Sequence, residues 1–419
     1  MKLFNHNQST ISGTVPSVHH MTIILGAVVF LAAAATLQSC QKIFTGGLKS
    51  NVTEFFDMDK FVENIKATYY DSTLGFSYAI GNGQVVVRSG AHGLARRPVD
   101  TPWNSAGEKY TPGTRQEWAS CTKFVTAVAV CHELEAQGKT LDELIYHYLP
   151  SNWKVDPSLK NLTFRGVLAH KSGLTNYHGN PTGYIGLEKT MRTPQGDTKY
   201  HYDNVNYGLF RVVLPYLWMG KDKFKLTEPN AAANEDATAQ AFRAYLRIYV
   251  FKPTGLKYYS LVDFQDWSQN PNYNSDHYPL YYYFDDPPDM QGKPNTGNYL
   301  SAGAGNLVLS AYEFTQVLAA FDEGKLVSPS MHDAMENTNG KHNTLGLDGW
   351  STEQKHGYYF WKNGASTGKN ESLIMLFPPV TSGKPIEVAI CTNSRLHGKK
   401  FVSAASKLRD AFDNAWVSK

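Results

Sequence analysis

The sequence predicts an α+β fold, an α/β sandwich in which helices flank an antiparallel sheet and a helical subdomain is inserted. Strand-like apolar segments lie towards both ends of the chain, at residues 74–80, 84–89, 358–361, 372–377 and 386–391. From about 140 to 300 the chain is instead rich in helical patterns and loops. Strands from both ends can share one sheet only in a single discontinuous unit. We therefore expect one antiparallel sheet of about five strands, built from the two chain ends.

The first 40 residues predict a lipoprotein signal peptide. Thr22–Leu37 is an apolar run of 16 residues, which suits a signal-peptide core and is short for a transmembrane helix. The run ends in Leu37-Gln38-Ser39-Cys40, which resembles a bacterial lipobox, so Cys40 would become the lipidated N-terminus. An uncleaved anchor is the alternative. Either way, we expect a protein of the bacterial cell envelope, held at the membrane and facing the periplasm or the outside.

The rest of the chain divides into a tether and one domain. Residues 41–60 are expected to form the tether, leading into a short helix near 58–69, and residues 61–419 the domain. Within the domain, about 61–115 and 300–419 would form the α/β part, and about 116–299 the helical part. Asn82-Gly83 predicts a two-residue hairpin between the first two strands. Further helices are predicted at 141–148, 163–169, 206–218, 232–250, 311–323 and 399–416.

Composition excludes some classes of function. The formal charge is +3, from 40 basic and 37 acidic residues, and it is spread without runs. Nucleic-acid binding requires clustered Lys and Arg, so no nucleic-acid partner is expected. Cys121 and Cys131 lie about 15 Å apart on one predicted helix, too far for a disulfide. No cofactor and no metal site is predicted, and we expect a monomer.

A serine and a lysine three residues apart form the first chemical motif. Ser-x-x-Lys occurs four times, and the spacing brings both side chains to one face only on a helix. After Ser120 and Lys123 the chain is apolar, rich in Ala and Val, and free of Pro and Gly until Gly138. This pattern predicts a buried helix with Ser120 at its N-terminal end, where the helix dipole favours developing negative charge. The other matches begin at Ser39, Ser151 and Ser366.

Two more motifs follow in the chain. Among 25 tyrosines, only Tyr202 is followed two residues later by asparagine, at Asn204, where a loop leads into a predicted helix. Lys362-x-Gly364 precedes a glycine-rich turn and the apolar strand at 372–377. Together the three motifs supply a nucleophile, groups that move its proton and an amide that holds a substrate.

From about Gly75 to the C-terminus, the chain resembles the serine β-lactamase and penicillin-binding-protein superfamily, most closely the class C β-lactamase and esterase-like branch. The three motifs carry the resemblance, together with residues 162–174 (LTFRGVLAHKSGL) and 301–307 (SAGAGNL). The resemblance implies the β-lactamase/transpeptidase-like fold, with the active site in a groove between the sheet and the helical part.

The resemblance and the chemistry together give the catalytic residues. Ser120 would attack the carbonyl, and Lys123 would take its proton if burial or a second cation lowers the pKa of the lysine. Lys362 would be that cation. Tyr202 would act as a phenolate or proton shuttle, because two ammonium groups stabilise its ionised form.

Four residues are expected to bind the substrate. Asn204 would bind an acyl-side amide or orient Lys123. By similarity, the backbone N–H groups of Ser120 and Ala365 would form the oxyanion hole. Gly364 and Asn363 belong to the same strand. Asn363 departs from the family, which more often has Thr or Ser there, whose hydroxyl helps to bind a substrate carboxylate.

Two segments have open roles. Tyr278–Tyr283, with Asp285 and Asp286, either lines the substrate groove or packs a long loop. Asn393 and Arg395, just past the last strand, are candidates for the edge of the site.

The expected function is that of an extracytoplasmic serine hydrolase that forms an acyl-enzyme with amide, lactam or ester carbonyls of a small molecule or peptide. Lys362 favours D-Ala-type peptides or β-lactam-like substrates, because its charge would attract a substrate carboxylate. The alternatives are a small-ester carboxylesterase of the same fold and a penicillin-binding sensor that deacylates slowly. An α/β-hydrolase elbow at Gly364–Gly368 is rejected, because a strand follows it and the only later histidine precedes the acidic residues.

Overall fold

The computed structural model describes residues 54–418, except 84, 176–181, 227–230, 265–277, 295–298, 352–354, 367–369 and 396–404. The expected signal peptide, the lipidation site Cys40 and the tether up to residue 53 lie outside the described residues. Among the residues described, no helix combines the length and the apolar character needed to cross a membrane.

A seven-stranded antiparallel sheet forms the centre of the domain, in the order β4-β3-β2-β11-β10-β9-β8. It joins both ends of the chain, and the antiparallel α+β architecture is the predicted one. Its strands are β2 (Gly75–Gly81), β3 (Val86–Arg96), β4 (Glu108–Lys109), β8 (Gly349–Ser351), β9 (Tyr359–Ala365), β10 (Glu371–Phe377) and β11 (Ile386–Thr392). The predicted hairpin at Asn82-Gly83 joins β2 to β3, with Gly83 at a φ of 76° that favours glycine.

Two-stranded pairs complete the β-structure of the described residues. They are β1 (Glu54–Phe56) with β13 (Trp416–Ser418), β5 (Gln116–Glu117) with β7 (Val308–Leu309), and β6 (Tyr282–Tyr283) with β12 (Ser394–Arg395).

Helices cover both faces of the sheet and form the inserted part. The α-helices are α1 (Met58–Tyr69), α2 (Thr122–Ala136), α3 (Phe164–Leu168), α4 (Tyr184–Met191), α5 (Asn204–Met219), α6 (Ala231–Tyr245), α7 (Ala311–Asp322), α8 (Pro329–Met335) and α9 (Ala405–Asp413). A π-helical segment, Leu246–Phe251, continues α6. The 3-10 turns are Pro98–Asp100, Ala119–Cys121, Ile145–Tyr148, Pro157–Asn161, Tyr259–Leu261 and Tyr299–Ser301.

Alternation along β10 divides the core into two layers. Leu373 and Met375 pack in one cluster with residues of α1 and α9. Ile374 and Leu376 face the opposite way, into the larger cluster that contains α2, α5 and α7. Because successive side chains of a strand point to opposite faces, one apolar strand fills both layers. The Ser120–Lys123 and Lys362 motifs lie on the side of the larger cluster.

The structure differs from the sequence expectations at the edges of the domain. The sheet has seven strands where about five were expected, because β4 and β8 are too short to show alternation. Glu54–Phe56 pairs with Trp416–Ser418, so residues 54–60, assigned to the tether, belong to the folded part. The final helix, expected to reach Trp416, ends at Asp413 for the same reason. Only Ile145–Tyr148 of the helix expected at 141–148 is helical, as a 3-10 turn.

Candidate active site

A strained turn presents Ser120 at the start of α2. Ala119 has a φ of 45°, a left-handed conformation that is rare for a residue other than glycine. The turn is tied down on both sides, since Trp118 donates its indole N–H to the Leu309 carbonyl (2.8 Å) and Ser372 donates its hydroxyl to the Trp118 carbonyl (2.8 Å). Strain of this kind persists only where surrounding contacts fix the backbone, as they do here.

Lys123 is fully buried one helical turn after Ser120. Its ammonium Nζ donates to Ser120 Oγ at 3.1 Å, to Asn204 Oδ1 at 2.8 Å and to the Ala304 carbonyl at 2.6 Å. The segment 301–307 therefore supplies an acceptor for the lysine, and Asn204 orients it, as one of its two expected roles requires. These three acceptors fix the position of the Lys123 nitrogen beside Ser120.

Tyr202 approaches Ser120 from the other side. Its hydroxyl donates to Ser120 Oγ at 2.8 Å, although the residue as a whole is 39% exposed. It stands just before α5, whose N-terminus is capped by the Asp203 side chain (3.0 Å to the Val205 N–H). Asn204 is therefore the first helical residue and not the cap.

Lys362 lies on β9, only 2% exposed, with its Nζ 4.7 Å from the centre of the Tyr202 ring. Asp348, just before β8, forms an ion pair with it and also accepts the Asn363 backbone N–H at 2.9 Å. No motif in the sequence marks Asp348. The Lys362 ammonium is consequently buried and engaged by a carboxylate, so it does not offer an open site to a substrate carboxylate.

Burial and neighbouring charges set the protonation states of the groups around Ser120. Burial would lower the pKa of Lys362, but the charge of Asp348 and its hydrogen bond outweigh this and raise that pKa well above the usual range. Burial lowers the pKa of Lys123, and the charge of Lys362 lowers it further against the opposing effect of Tyr202. Lys362 thus remains the cation, and Lys123 is biased towards the neutral amine.

The pKa of Tyr202 is also lowered, although burial acts on a phenol in the opposite direction. Burial alone would raise the pKa of its phenol, but the charges of Lys362 and Lys123 and hydrogen bonding with Lys123 and Ser120 outweigh this and lower the pKa. A phenolate is therefore more accessible here than for an ordinary tyrosine, which suits a group that takes the Ser120 proton.

His170 supports Tyr202 and was quoted in the sequence analysis only as part of a motif. Its ring lies 4.5 Å from the Tyr202 ring, and its Nδ1 accepts the Asp203 N–H at 3.3 Å. Burial, followed by the charges of Lys362 and Lys123, lowers the pKa of His170 to about 2. The imidazole therefore stays neutral and packs against the tyrosine.

A cavity of about 300 Å³ opens beside Ser120. Its lining includes Ser120, Asn204 and Ala365, together with Glu117, Ala119, Thr182, Ser301, Ala304, Gly305, Asn306 and Ser366. Asn363 is half-buried and is not among these lining residues, so the cavity gives no support to a substrate contact there. The oxyanion hole at Ser120 and Ala365 stays a prediction that is consistent with their position in one cavity.

Gly364 brings β9 against the nucleophile turn. A Cβ at this position would lie 2.3 Å from Ser372 Oγ, 2.5 Å from the Trp118 carbonyl and 3.1 Å from the Ser120 nitrogen. Only glycine allows so close an approach, so the glycine of Lys-x-Gly has a steric reason in this chain.

The aromatic segment at 278–283 packs a loop. Tyr282 is fully buried, and its hydroxyl donates to Asp100 (2.7 Å) and accepts from the Arg97 backbone N–H (3.0 Å). Asn393 is also buried, with its side-chain amide bound to the carbonyls of Leu94, Ala95 and Leu280. Neither Tyr278–Tyr283 nor Arg395 is among the residues that line the cavity beside Ser120.

Comparisons with known proteins agree with this geometry. Residues 62–216 match the Beta-lactamase family model. No curated protein matches the sequence at a significant level.

Solved structures share the fold at low sequence identity. The octameric penicillin-binding protein homologue from Pyrococcus abyssi is 18% identical, with 81% of this chain and 74% of that chain covered and a TM-score of 0.56. FmtA from Staphylococcus aureus is 16% identical, with 87% and 92% covered and a TM-score of 0.59. D-amino acid amidase from Ochrobactrum anthropi SV3, complexed with L-phenylalanine amide, is 15% identical, with 85% and 98% covered and a TM-score of 0.57. The Beta-lactamase family match spans both Ser120 and Tyr202, and the solved structures share the β-lactamase/transpeptidase-like fold of this chain.

Proposed function

We propose that the protein hydrolyses amide or lactam bonds through an acyl-enzyme on Ser120, with D-Ala-type peptides or β-lactam-like molecules as substrates. One observation carries the proposal. Ser120 Oγ accepts hydrogen bonds from both Lys123 Nζ (3.1 Å) and the Tyr202 hydroxyl (2.8 Å). A serine in contact with two groups whose pKa values are lowered is positioned to lose its proton.

Acylation follows from this arrangement. Tyr202, as the phenolate, takes the proton of Ser120 while Oγ bonds to the substrate carbonyl carbon. The N–H groups of Ser120 and Ala365 would stabilise the oxyanion. The phenol then gives its proton to the leaving nitrogen as the C–N bond breaks. Lys362 keeps its charge throughout, and this charge stabilises the phenolate form of Tyr202.

Deacylation uses the same groups in reverse. Tyr202 takes a proton from a water molecule, whose oxygen bonds to the acyl carbon. The bond from that carbon to Ser120 Oγ breaks, and the proton returns to the serine. The exposed edge of Tyr202 gives water access to this position.

The cavity supports a small substrate. About 300 Å³ lies at the lower end of the range for small-molecule sites, which suits an amino-acid-sized acyl group or a lactam nucleus. The structural neighbours include a D-amino acid amidase and a D-stereospecific amidohydrolase, which favours amides of D-configured residues over simple esters. Because Lys362 is paired with Asp348, the preference does not depend on a free cation in the groove.

The test is covalent labelling with a fluorescent penicillin and a fluorescent fluorophosphonate. Wild type and Ser151→Ala should be labelled, and Ser120→Ala should not. Ser151 is the matched control, because it begins another Ser-x-x-Lys on the exposed surface. Equal labelling of Ser120→Ala and wild type would refute the proposal.

Steady-state kinetics separate the enzyme from its alternatives. Sustained hydrolysis of nitrocefin or a D-Ala-D-Ala peptide is expected. Turnover of p-nitrophenyl acetate alone would indicate a carboxylesterase, and a single burst without turnover would indicate a penicillin-binding sensor.

We also propose a lipid-anchored location in the cell envelope, on the basis of the apolar run at 22–37 followed by Cys40. Metabolic labelling with palmitate in a bacterial host should mark wild type and not Cys40→Ala. Equal labelling of both would refute lipidation at Cys40, and absence of label from both would leave the uncleaved anchor as the better explanation.

A further inference from the structure

A second group of chemically active side chains lies away from the catalytic residues, where α7 and α8 end over the sheet. Asp322, His332 and Glu336 each offer one ligand atom, and these atoms lie within 4.8 Å of one another. His332 Nε2 lies 3.1 Å from Asp322 Oδ1, and its Nδ1 lies 3.9 Å from Glu336 Oε2. Ligands about 2.1 Å from one Zn²⁺ ion lie at most about 4.2 Å apart, so shifts of less than 1 Å would complete a site.

A third carboxylate approaches Asp322 from the sheet. Glu387 on β11 is fully buried, and its Oε1 has no hydrogen-bond partner. Its other oxygen, Oε2, accepts the Gly83 backbone N–H at 2.9 Å. The charge of Asp322 acts on Glu387, so the two carboxyl groups lie next to each other in the fold. We name Asp322, His332, Glu336 and Glu387 the carboxylate–histidine cluster.

The charges of this cluster do not balance without a cation. Among the described residues, no lysine or arginine forms an ion pair with any of its three carboxylates, and His332 is the sole basic group in contact with them. Asp322 is the last residue of α7 and Glu336 caps the C-terminus of α8. Carboxylates at helix C-termini are disfavoured by the helix dipole, so two dipoles add to the negative potential. Burying several like charges without a counter-charge is costly.

Water and ions can reach the cluster. A cavity of about 240 Å³ borders Asp322, His332 and Glu336. Its remaining walls are mainly aromatic and proline side chains, among them Tyr358, Phe377 and Pro385. The cavity supplies both an entry path and room for water ligands.

We propose that the carboxylate–histidine cluster binds one divalent transition-metal ion of the Zn²⁺ class, which ties the ends of α7 and α8 to β11. An imidazole among the donors favours Zn²⁺ and its neighbours over Ca²⁺ or Mg²⁺, which prefer oxygen ligands alone. The role of the ion is structural, because all four donors are protein side chains packed between the helices and the sheet. The Phe321 ring stacks on His332 (4.2 Å between centres) and contacts Phe124 of α2 (5.1 Å), so the ion would stiffen the support of the nucleophile helix.

Calorimetry and thermal unfolding test the proposal on the full chain without a histidine tag, in detergent and stripped with EDTA. One Zn²⁺ per chain should bind, and Zn²⁺ at about 100 times the Kd should raise the Tm by about 3–4 °C. Ca²⁺ at the same concentration should have little effect. Ser120→Ala should bind Zn²⁺ as wild type does, which separates this site from the catalytic one.

The decisive variant is Glu387→Gln. It should weaken Zn²⁺ binding at least about tenfold and, by removing a buried charge, raise the Tm of the metal-free protein. Asp333→Asn is the matched control, because it removes an exposed carboxylate from α8 beside His332 and should leave binding unchanged. Absence of Zn²⁺ binding, or equal binding by wild type and Glu387→Gln, would overturn the proposal. A Tm of metal-free Glu387→Gln below that of metal-free wild type would also count against the proposal. It would indicate that the carboxyl groups are stabilised by shared protons and not by a metal ion.

Discussion

Asp348 and Lys362 form an ion pair beside the Tyr202 ring, although 14 residues separate them in the chain. The turn before β8 brings them together, because β8 and β9 pair antiparallel with Gly349 opposite Trp361. The pair determines which lysine carries charge. Lys362 is held protonated by Asp348, and its charge lowers the pKa values of Lys123 and Tyr202.

Asp348→Asn should therefore shift the pH dependence of catalysis. Without its carboxylate, Lys362 stays protonated less readily, and a neutral Lys362 no longer stabilises the Tyr202 phenolate. We expect the acidic limb of the kcat/KM profile to move to higher pH, with a loss of about tenfold or more at pH 7. Profiles of wild type and the variant on nitrocefin give the answer. An unchanged limb with a uniformly lower rate would show that Asp348 has only a structural role.

His170 gives a prediction about stability. The pKa of His170 is about 2 in the folded protein and near 6.5 in the unfolded chain. Below pH 6.5 the imidazole is therefore protonated in the unfolded chain and neutral in the folded protein. The free energy of unfolding thus falls as the pH falls, by about 1.4 kcal/mol per unit from this group. Above pH 6.5 this group costs no stability, because His170 is neutral in both states.

Urea unfolding at pH 7 and pH 5 measures this slope. His170→Gln should show a shallower loss of stability between the two values than wild type, by about 2 kcal/mol. Other groups titrate equally in both proteins, so the difference isolates His170. Parallel slopes would mean that the imidazole becomes protonated in the folded state.

Gly364→Ala tests the contact between β9 and the nucleophile turn. The added Cβ would lie well inside contact distance of Ser372 Oγ and the Trp118 carbonyl, so the strand must move away from Ser120. We expect a loss of about 1–3 kcal/mol in unfolding free energy and a large fall in acylation rate. Gly113→Ala is the matched control, because a Cβ there meets only Thr111 Oγ1, at 3.8 Å. If Gly364→Ala and Gly113→Ala behave alike, the close approach is not required.

The sequence could predict the parts of the site that depend on local spacing. Ser120 and Lys123 face each other because they lie one helical turn apart, and the apolar run after them marks the helix. Asp348 could not be found in this way, because it follows no motif and meets Lys362 only through strand pairing. Glu387 and Asp322 likewise come from a strand and a helix that are adjacent only in the fold. The short strands β4 and β8 have too few residues to show a period.

The last prediction concerns substrate charge. The sequence suggests that Lys362 attracts a substrate carboxylate, but in the structure its ammonium is buried and bound by Asp348. Its charge then acts on Tyr202 and Lys123, which every substrate needs. Lys362→His should accordingly reduce kcat/KM for p-nitrophenyl acetate, nitrocefin and a D-Ala-D-Ala peptide by similar factors, within about threefold, or roughly 0.7 kcal/mol, of one another. Measuring all three substrates on both proteins at one pH provides the comparison. A loss confined to the two substrates that carry a carboxylate would show that Lys362 leaves Asp348 and binds the substrate directly.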